Sequence, residues 1–128
     1  MFTIIILISL SENAKSLTVQ YINKKLEELI MKINKRSEGS MLTIYIEGRL
    51  DTSTSPELSK ELDSSLEGVT QLVFDFTLLE YISSSGLRVL LAAQKAMNGK
   101  GTMIVKNVSE LVMEVFEITG FTDILTIE

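Results

Sequence analysis

The stretch from Val69 to Thr77 is the hardest part of this chain to place anywhere but in a core. It is a near-continuous apolar run, interrupted by Gln71 and closing on Asp75. A run with almost no polar face suits a strand covered on both sides, as in the centre of a parallel sheet. Helical patterns stand on either side of it. Leu58, Leu62 and Leu66 repeat at four-residue spacing before it, and Leu87, Leu90, Leu91, Gln94 and Met97 line one helical face after it, over about residues 84–98. Strands alternating with helices of this length imply crossover connections and a largely parallel sheet.

The rest of the body follows the same logic. Met31 to Arg36 alternates apolar and polar side chains, Ser37-Glu38-Gly39-Ser40 is a turn by composition, and Leu42, Ile44 and Ile46 alternate with Thr43, Tyr45 and Glu47 over residues 41–48. Together these predict a hairpin. Thr52-Ser53-Thr54-Ser55-Pro56-Glu57 supplies capping hydroxyls, a first-turn proline and an acidic residue at the positive end of a helix dipole, and Gly68 closes that helix. Asn98-Gly99 ends the next helix, and Thr102 to Lys106 is a short strand. Asn107 is the expected cap of a further helix, with Glu110 as its box partner. Val112, Val115, Phe116 and Thr119 line it, Gly120 ends it, and Ile124 to Ile127 forms a last edge strand. The predicted order is ββαβαβαβ: an α/β fold with a mixed, mostly parallel sheet flanked by helices.

The first thirty residues have a different character. Phe2 to Leu10 is apolar for only nine residues, whereas a membrane-spanning helix needs about 20. It lacks both the positive start and the small-residue cleavage pattern of a signal peptide, and reads as a β-prone strand or a segment without an evolved role. Ile22, Leu26, Leu29, Ile30 and Ile33 fall on one helical face, with Lys24, Lys25, Glu27 and Glu28 off it, predicting an amphipathic helix over residues 16–30. Residues 1–40 carry a net charge of +2 and residues 41–128 one of −7. The charge step and the odd opening divide the chain into an N-terminal extension, 1–30, and a body, 31–128. A complete small domain can start at Met31, in which case the extension is an over-long start assignment.

Composition removes several kinds of chemistry. The chain has no cysteine and no histidine, so it has no thiolate or imidazole metal site, no cysteine nucleophile and no Ser-His-Asp arrangement. A net charge of −5 argues against a grip on nucleic acid, which needs clustered Lys and Arg. Gly99-Lys100-Gly101 lacks the spacing of a phosphate loop. One place stands apart: Asp75-Phe76-Thr77 followed by Tyr81-Ile82-Ser83-Ser84-Ser85-Gly86-Leu87. A buried strand ends in an acid, and three serines stand at the mouth of a helix, beyond the C-terminal ends of strands where ligands of open α/β sheets sit. Serines there also serve as plain caps, and glycine as a close-packing position. As a phosphate acceptor, a serine at this point would place about −1.5 to −2 charges against free N–H groups and the positive end of a helix dipole. An enzyme using these serines would need Lys95, Lys100 or Lys106 as a base, and no spacing suggests one.

Gly48-Arg49-Leu50-Asp51, Asp75-Phe76-Thr77, Tyr81 to Leu90 and Thr119-Gly120-Phe121 resemble a STAS domain, and more narrowly the bacterial anti-sigma factor antagonists, over residues 31–128. The resemblance implies a cytoplasmic, non-enzymatic partner-switching protein without a cofactor. Unphosphorylated, such a protein binds an anti-sigma factor of the serine-kinase type and frees the sigma factor. The kinase phosphorylates the antagonist, and a metal-dependent serine phosphatase reverses the mark. Mapped onto this chain, the acceptor is Ser84, followed by Ser85 and Gly86. Ser83 departs from members that carry Asp there, which removes a negative charge and leaves a rival hydroxyl. Asp51 and Asp75 resemble acids near the family's binding face, beside their ordinary roles as a turn cap and as an acceptor of loop N–H groups. Arg88, one turn into the helix, either pairs with a phosphate or is solvated. The other reading within the family is an adapter subunit of a membrane transport or lipid-trafficking assembly, with residues 2–10 and the amphipathic helix as anchor.

Overall fold

This computed structural model describes residues 12–128. The chain separates into two compact units, Met1–Ile30 and Met31–Glu128. In the first, α1 runs over Glu12–Leu29, four residues earlier than the apolar stripe predicted. The apolar opening at residues 2–10 lies outside the described residues. Ile33, which completed that stripe on paper, belongs instead to a strand of the second unit.

The second unit opens with a hairpin of β1 (Lys32–Glu38) and β2 (Met41–Leu50), antiparallel from Lys32 opposite Glu47 to Glu38 opposite Met41. Helix α2 (Ser55–Ser65) crosses to β3 (Gln71–Asp75), which lies parallel to β2. Then come β4 (Leu79–Ile82), α3 (Ser84–Met97), β5 (Thr102–Lys106), α4 (Glu110–Thr119) and a 3-10 turn, Phe121–Asp123. The sheet order is β1-β2-β3-β5, with β4 paired separately to β2. As the apolar run required, β3 is central, and Leu72, Val73 and Phe74 are all buried. Leu72 and Phe74 join Ile44, Ile46, Leu58, Leu90, Val112 and Phe116 in one core.

Strand β4 is absent from the predicted order. It exists because β2 is long enough to pair twice: residues 41–45 with β3, then Gly48, Arg49 and Leu50 with Leu79, Tyr81 and Ile82 of β4. The register shifts between Gly48 and Arg49. Gly48 has φ 96°, a conformation open to glycine and strained for other residues.

Two further expectations are corrected. Asn107 does not cap α4. Ser109 does, its Oγ accepting the Val112 N–H at 3.3 Å. Asn107 sits before the helix in the left-handed region at φ 58°, which asparagine tolerates better than most residues. The predicted strand at 124–127 reduces to a single parallel bridge between Ile127 and Val105, because the 3-10 turn holds Ile124 and Leu125 N–H groups on the Phe121 carbonyl.

Candidate functional site

The three serines stand where β4 turns into α3, and the backbone fixes their roles. The Ser83 N–H donates to the Leu50 carbonyl at 2.9 Å, docking the turn on the end of β2. Ser83 is the N-cap. Its carbonyl accepts from Leu87 N–H, and its Oγ accepts from Gly86 N–H at a long 3.4 Å. Ser85 Oγ lies 3.3 Å from Thr52 Oγ1, joining the helix to the β2–α2 loop. Ser84, the first helical residue, is exposed, and its hydroxyl has no hydrogen-bond partner among the described residues. Gly86 is demanded by contact rather than by φ. A Cβ there would lie 2.8 Å from both Ile82 Cγ1 and Leu50 Cγ, and 2.9 Å from the Leu50 carbonyl oxygen.

Asp51 organises the neighbouring loop. Its Oδ1 accepts the Ser53 N–H at 3.0 Å, the Ser53 hydroxyl at 2.8 Å and the Thr54 N–H at 3.1 Å. These bonds, the Ser53 hydroxyl first, outweigh burial and hold the carboxyl below its ordinary value. Thr54, buried, donates its hydroxyl to the Arg49 carbonyl at 2.7 Å and receives the Asp51 N–H at 2.9 Å. The Arg49 guanidinium lies over the Tyr81 ring at 4.2 Å, and its Nε is 3.8 Å from Asp51 Oδ2. Asp51 thus braces the loop whose Thr52 touches Ser85.

Asp75 belongs to a different neighbourhood. It ends β3, and its Oδ1 accepts the Thr77 N–H at 2.9 Å and the Thr77 hydroxyl, while Oδ2 accepts from Asn107 Nδ2 at 3.1 Å. Burial pushes this carboxyl up, but Thr77, Asn107 and the Lys106 charge together bring it below its ordinary value. With Tyr45, Glu47 and Leu78 it lines a groove of about 310 Å³. Among the described residues, no hydrogen bond joins Asp75 to the serines. The structure links Asp51 to Ser83–Gly86 through the Thr52–Ser85 contact of its loop and bonds Asp75 to Thr77 and Asn107 instead. Sequence reading missed Thr52, Thr54, Arg49 and Tyr81 as parts of the site. Their signal was adjacency in Gly48-Arg49-Leu50-Asp51 and Tyr81-Ile82, visible only once β4 is known to pair with the end of β2.

The site holds an exposed hydroxyl at a helix N-terminus, and among the described residues no basic side chain is bonded to it. An activated nucleophile would need such a base within hydrogen-bond reach. Among the described residues there is no cluster of three or more metal-ligating side chains, and no helix is long and apolar enough to cross a membrane. The arrangement can receive a group on Ser84 and present it outward.

The profile of the STAS domain family matches residues 32–128, and the chain belongs to that family. The BtrV protein of Bordetella bronchiseptica, named as an anti-sigma factor antagonist, is 33% identical over 99 residues, 76% of this chain and 85% of its own length. Among solved structures, an anti-sigma factor antagonist from Mycobacterium paratuberculosis superposes with a TM-score of 0.71 at 17% identity, covering 77% of this chain and 85% of its own. SpoIIAA, an anti-sigma factor antagonist, matches in its unphosphorylated form with a TM-score of 0.67 at 20% identity, over 76% of this chain and 88% of its own. Its phosphorylated form, from Bacillus, gives 0.60 at 19% identity, over 77% and 91%.

Proposed function

We propose that this chain is an anti-sigma factor antagonist that works by partner switching, with Ser84 as the switch. Unphosphorylated, it binds in the cytoplasm an anti-sigma factor that is also a serine kinase, and so releases a sigma factor for transcription. Phosphorylation of Ser84 ends that binding, and a metal-dependent serine phosphatase restores it. The observation that carries this reading is the division of labour among the serines. Ser83 is spent on the cap and Ser85 meets Thr52, while Ser84 is exposed and uncommitted. The anti-sigma antagonist names of its relatives and the existence of a phosphorylated SpoIIAA support it. A phosphate of about −1.5 to −2 charges at this point is compatible with the fold, because helix N-terminal N–H groups face it. In a docking surface the same charge repels an acidic or apolar partner patch without unfolding anything.

Intact mass and peptide mapping of the protein from its native cells, beside a Ser84→Ala strain, test the proposal. The expected result is one phosphate on the Ser84 peptide, absent from the variant, with the variant permanently bound to a kinase-type partner. A phosphate confined to another residue would move the switch. No phosphate under any growth condition, together with no kinase partner, would overturn it.

A further inference from the structure

Helix α4 is more apolar than its place in the fold requires. Val112 and Phe116 are buried in the core, and Met113 and Val115 are half-buried against it. Leu111 and Ile118 are left outside, 55% and 78% exposed. With Val115 they stand at i, i+4 and i+7, which makes one continuous stripe on a helix surface. A second stripe with the same spacing runs directly beside it: Glu110, Glu114 and Glu117, all exposed. Among the described residues none of the three is in an ion pair, and α4 carries no Lys or Arg. Like charges three or four positions apart destabilise a helix. Glu110 gains from the positive end of the dipole, but Glu117 stands near the negative end. Neither stripe serves the folding of α4 itself.

We propose that this face of α4 docks an amphipathic helix of a partner protein, one whose apolar stripe is bordered by lysine or arginine. Helices are commonly recognised through anchors at i, i+4 and i+7. Leu111, Val115 and Ile118 supply the apolar seam, and the glutamates beside it select the sign of the partner's charge. Single exposed aliphatics are ordinary, whereas a contiguous apolar stripe with a charged rim marks an interaction surface. A second copy is excluded as the occupant by charge. Pairing α4 with α4 about its middle sets Glu114 against Glu114, and the helix has no cation to offset them. The same glutamates repel nucleic acid and anionic lipid. None of these side chains belongs to the serine turn, so the surface can be tested apart from the Ser84 switch.

The test uses the full chain, labelled with nitrogen-15, and the probe acetyl-Lys-Leu-Ala-Lys-Lys-Leu-Ala-Lys-Leu-Ala-Lys-Lys-Leu-Ala-amide. Expected on titration are shifts of the α4 amides, centred on Leu111, Val115 and Ile118. Leu111→Gln combined with Ile118→Gln leaves the net charge and the melting temperature unchanged and should weaken the probe by about tenfold or more. Glu114→Lys combined with Glu117→Lys should reverse the preference, toward a probe with glutamate in place of every lysine. The proposal is overturned if the shifts spread over other acidic surface instead of α4, if the glutamine variant binds the probe equally well, or if no shifts arise at millimolar probe. It is also overturned if the full chain is a dimer whose α4 amides move on dilution, which would make a second copy the occupant.

Discussion

Ser83, Ser84 and Ser85 carry the same hydroxyl, and their positions along the start of α3 decide what each can do. Losing the Ser83 cap removes a bond that is already long at 3.4 Å. Ser83→Ala is therefore expected near the low end of cap losses, about 0.5 kcal/mol, or about 2–4 °C in melting temperature for a domain of this size. It should still be phosphorylated at Ser84, as a kinase assay with mass mapping would show. Gly86→Ala has a larger expected effect. Its new Cβ would meet the Leu50 carbonyl at 2.9 Å, and a backbone atom in a strand cannot rotate aside. Overpacking of this kind costs about 1–3 kcal/mol. Denaturant unfolding should show the loss as a lower midpoint, and binding to the partner should weaken because the turn bearing Ser84 shifts. The glycine was legible in the sequence as a close-packing position. What it packs against was not, because Leu50 and Ile82 meet only through the β2–β4 pair.

At the scale of elements, two carboxylates tie loops together. Asp75 joins the end of β3 to the β5–α4 loop through Asn107, and Asp51 folds the β2–α2 loop on itself. Both have folded-state values below the ordinary 3.8. Each thus contributes stability that is present above 3.8 and is lost as pH falls through the lowered folded-state value. Asp51→Asn and Asp75→Asn should be less stable than the parent at neutral pH, and the gap should narrow as pH drops below 3.8. Denaturant midpoints measured across that range check it, and a gap independent of pH would count against the assigned bonds. Asn107 offers a companion test. Asn107→Gly keeps the left-handed backbone and loses only the bond to Asp75, whereas Asn107→Val also strains φ, so valine should destabilise more than glycine. These ties explain what the sequence showed and concealed. The buried β3 run, the leucine repeat of α2 and the face of α3 are local patterns and were legible. Strand β4 is four residues long and has no alternation of its own, since Leu79 and Ile82 are the buried pair. The capping role fell to Ser109 because Asn107 was committed to a carboxylate 32 positions away, a contact no local spacing encodes.

The structure and the family profile divide the whole chain at nearly the same point. The compact units part between Ile30 and Met31, and the family profile begins at residue 32. The second unit holds its own core, from Met31 through Phe74 to Leu125. Its hairpin is tied to α2 by the Lys35–Glu61 ion pair, and a domain of this size does not need staples. A chain beginning at Met31 is therefore expected to unfold in one cooperative transition, with a denaturant midpoint close to that of the full chain. If partner switching resides in the STAS unit, this shorter chain should also take a phosphate on Ser84 and keep the Ser84→Ala phenotype of permanent partner binding. Comparing the two chains in denaturant unfolding and in a kinase assay separates two roles for residues 1–30. Equal stability with equal phosphorylation places the switch wholly in residues 31–128. Equal stability with lost phosphorylation would make the extension part of what the kinase recognises, because the turn bearing Ser84 rests on Leu50, Ile82 and Thr52, all of which the shorter chain retains.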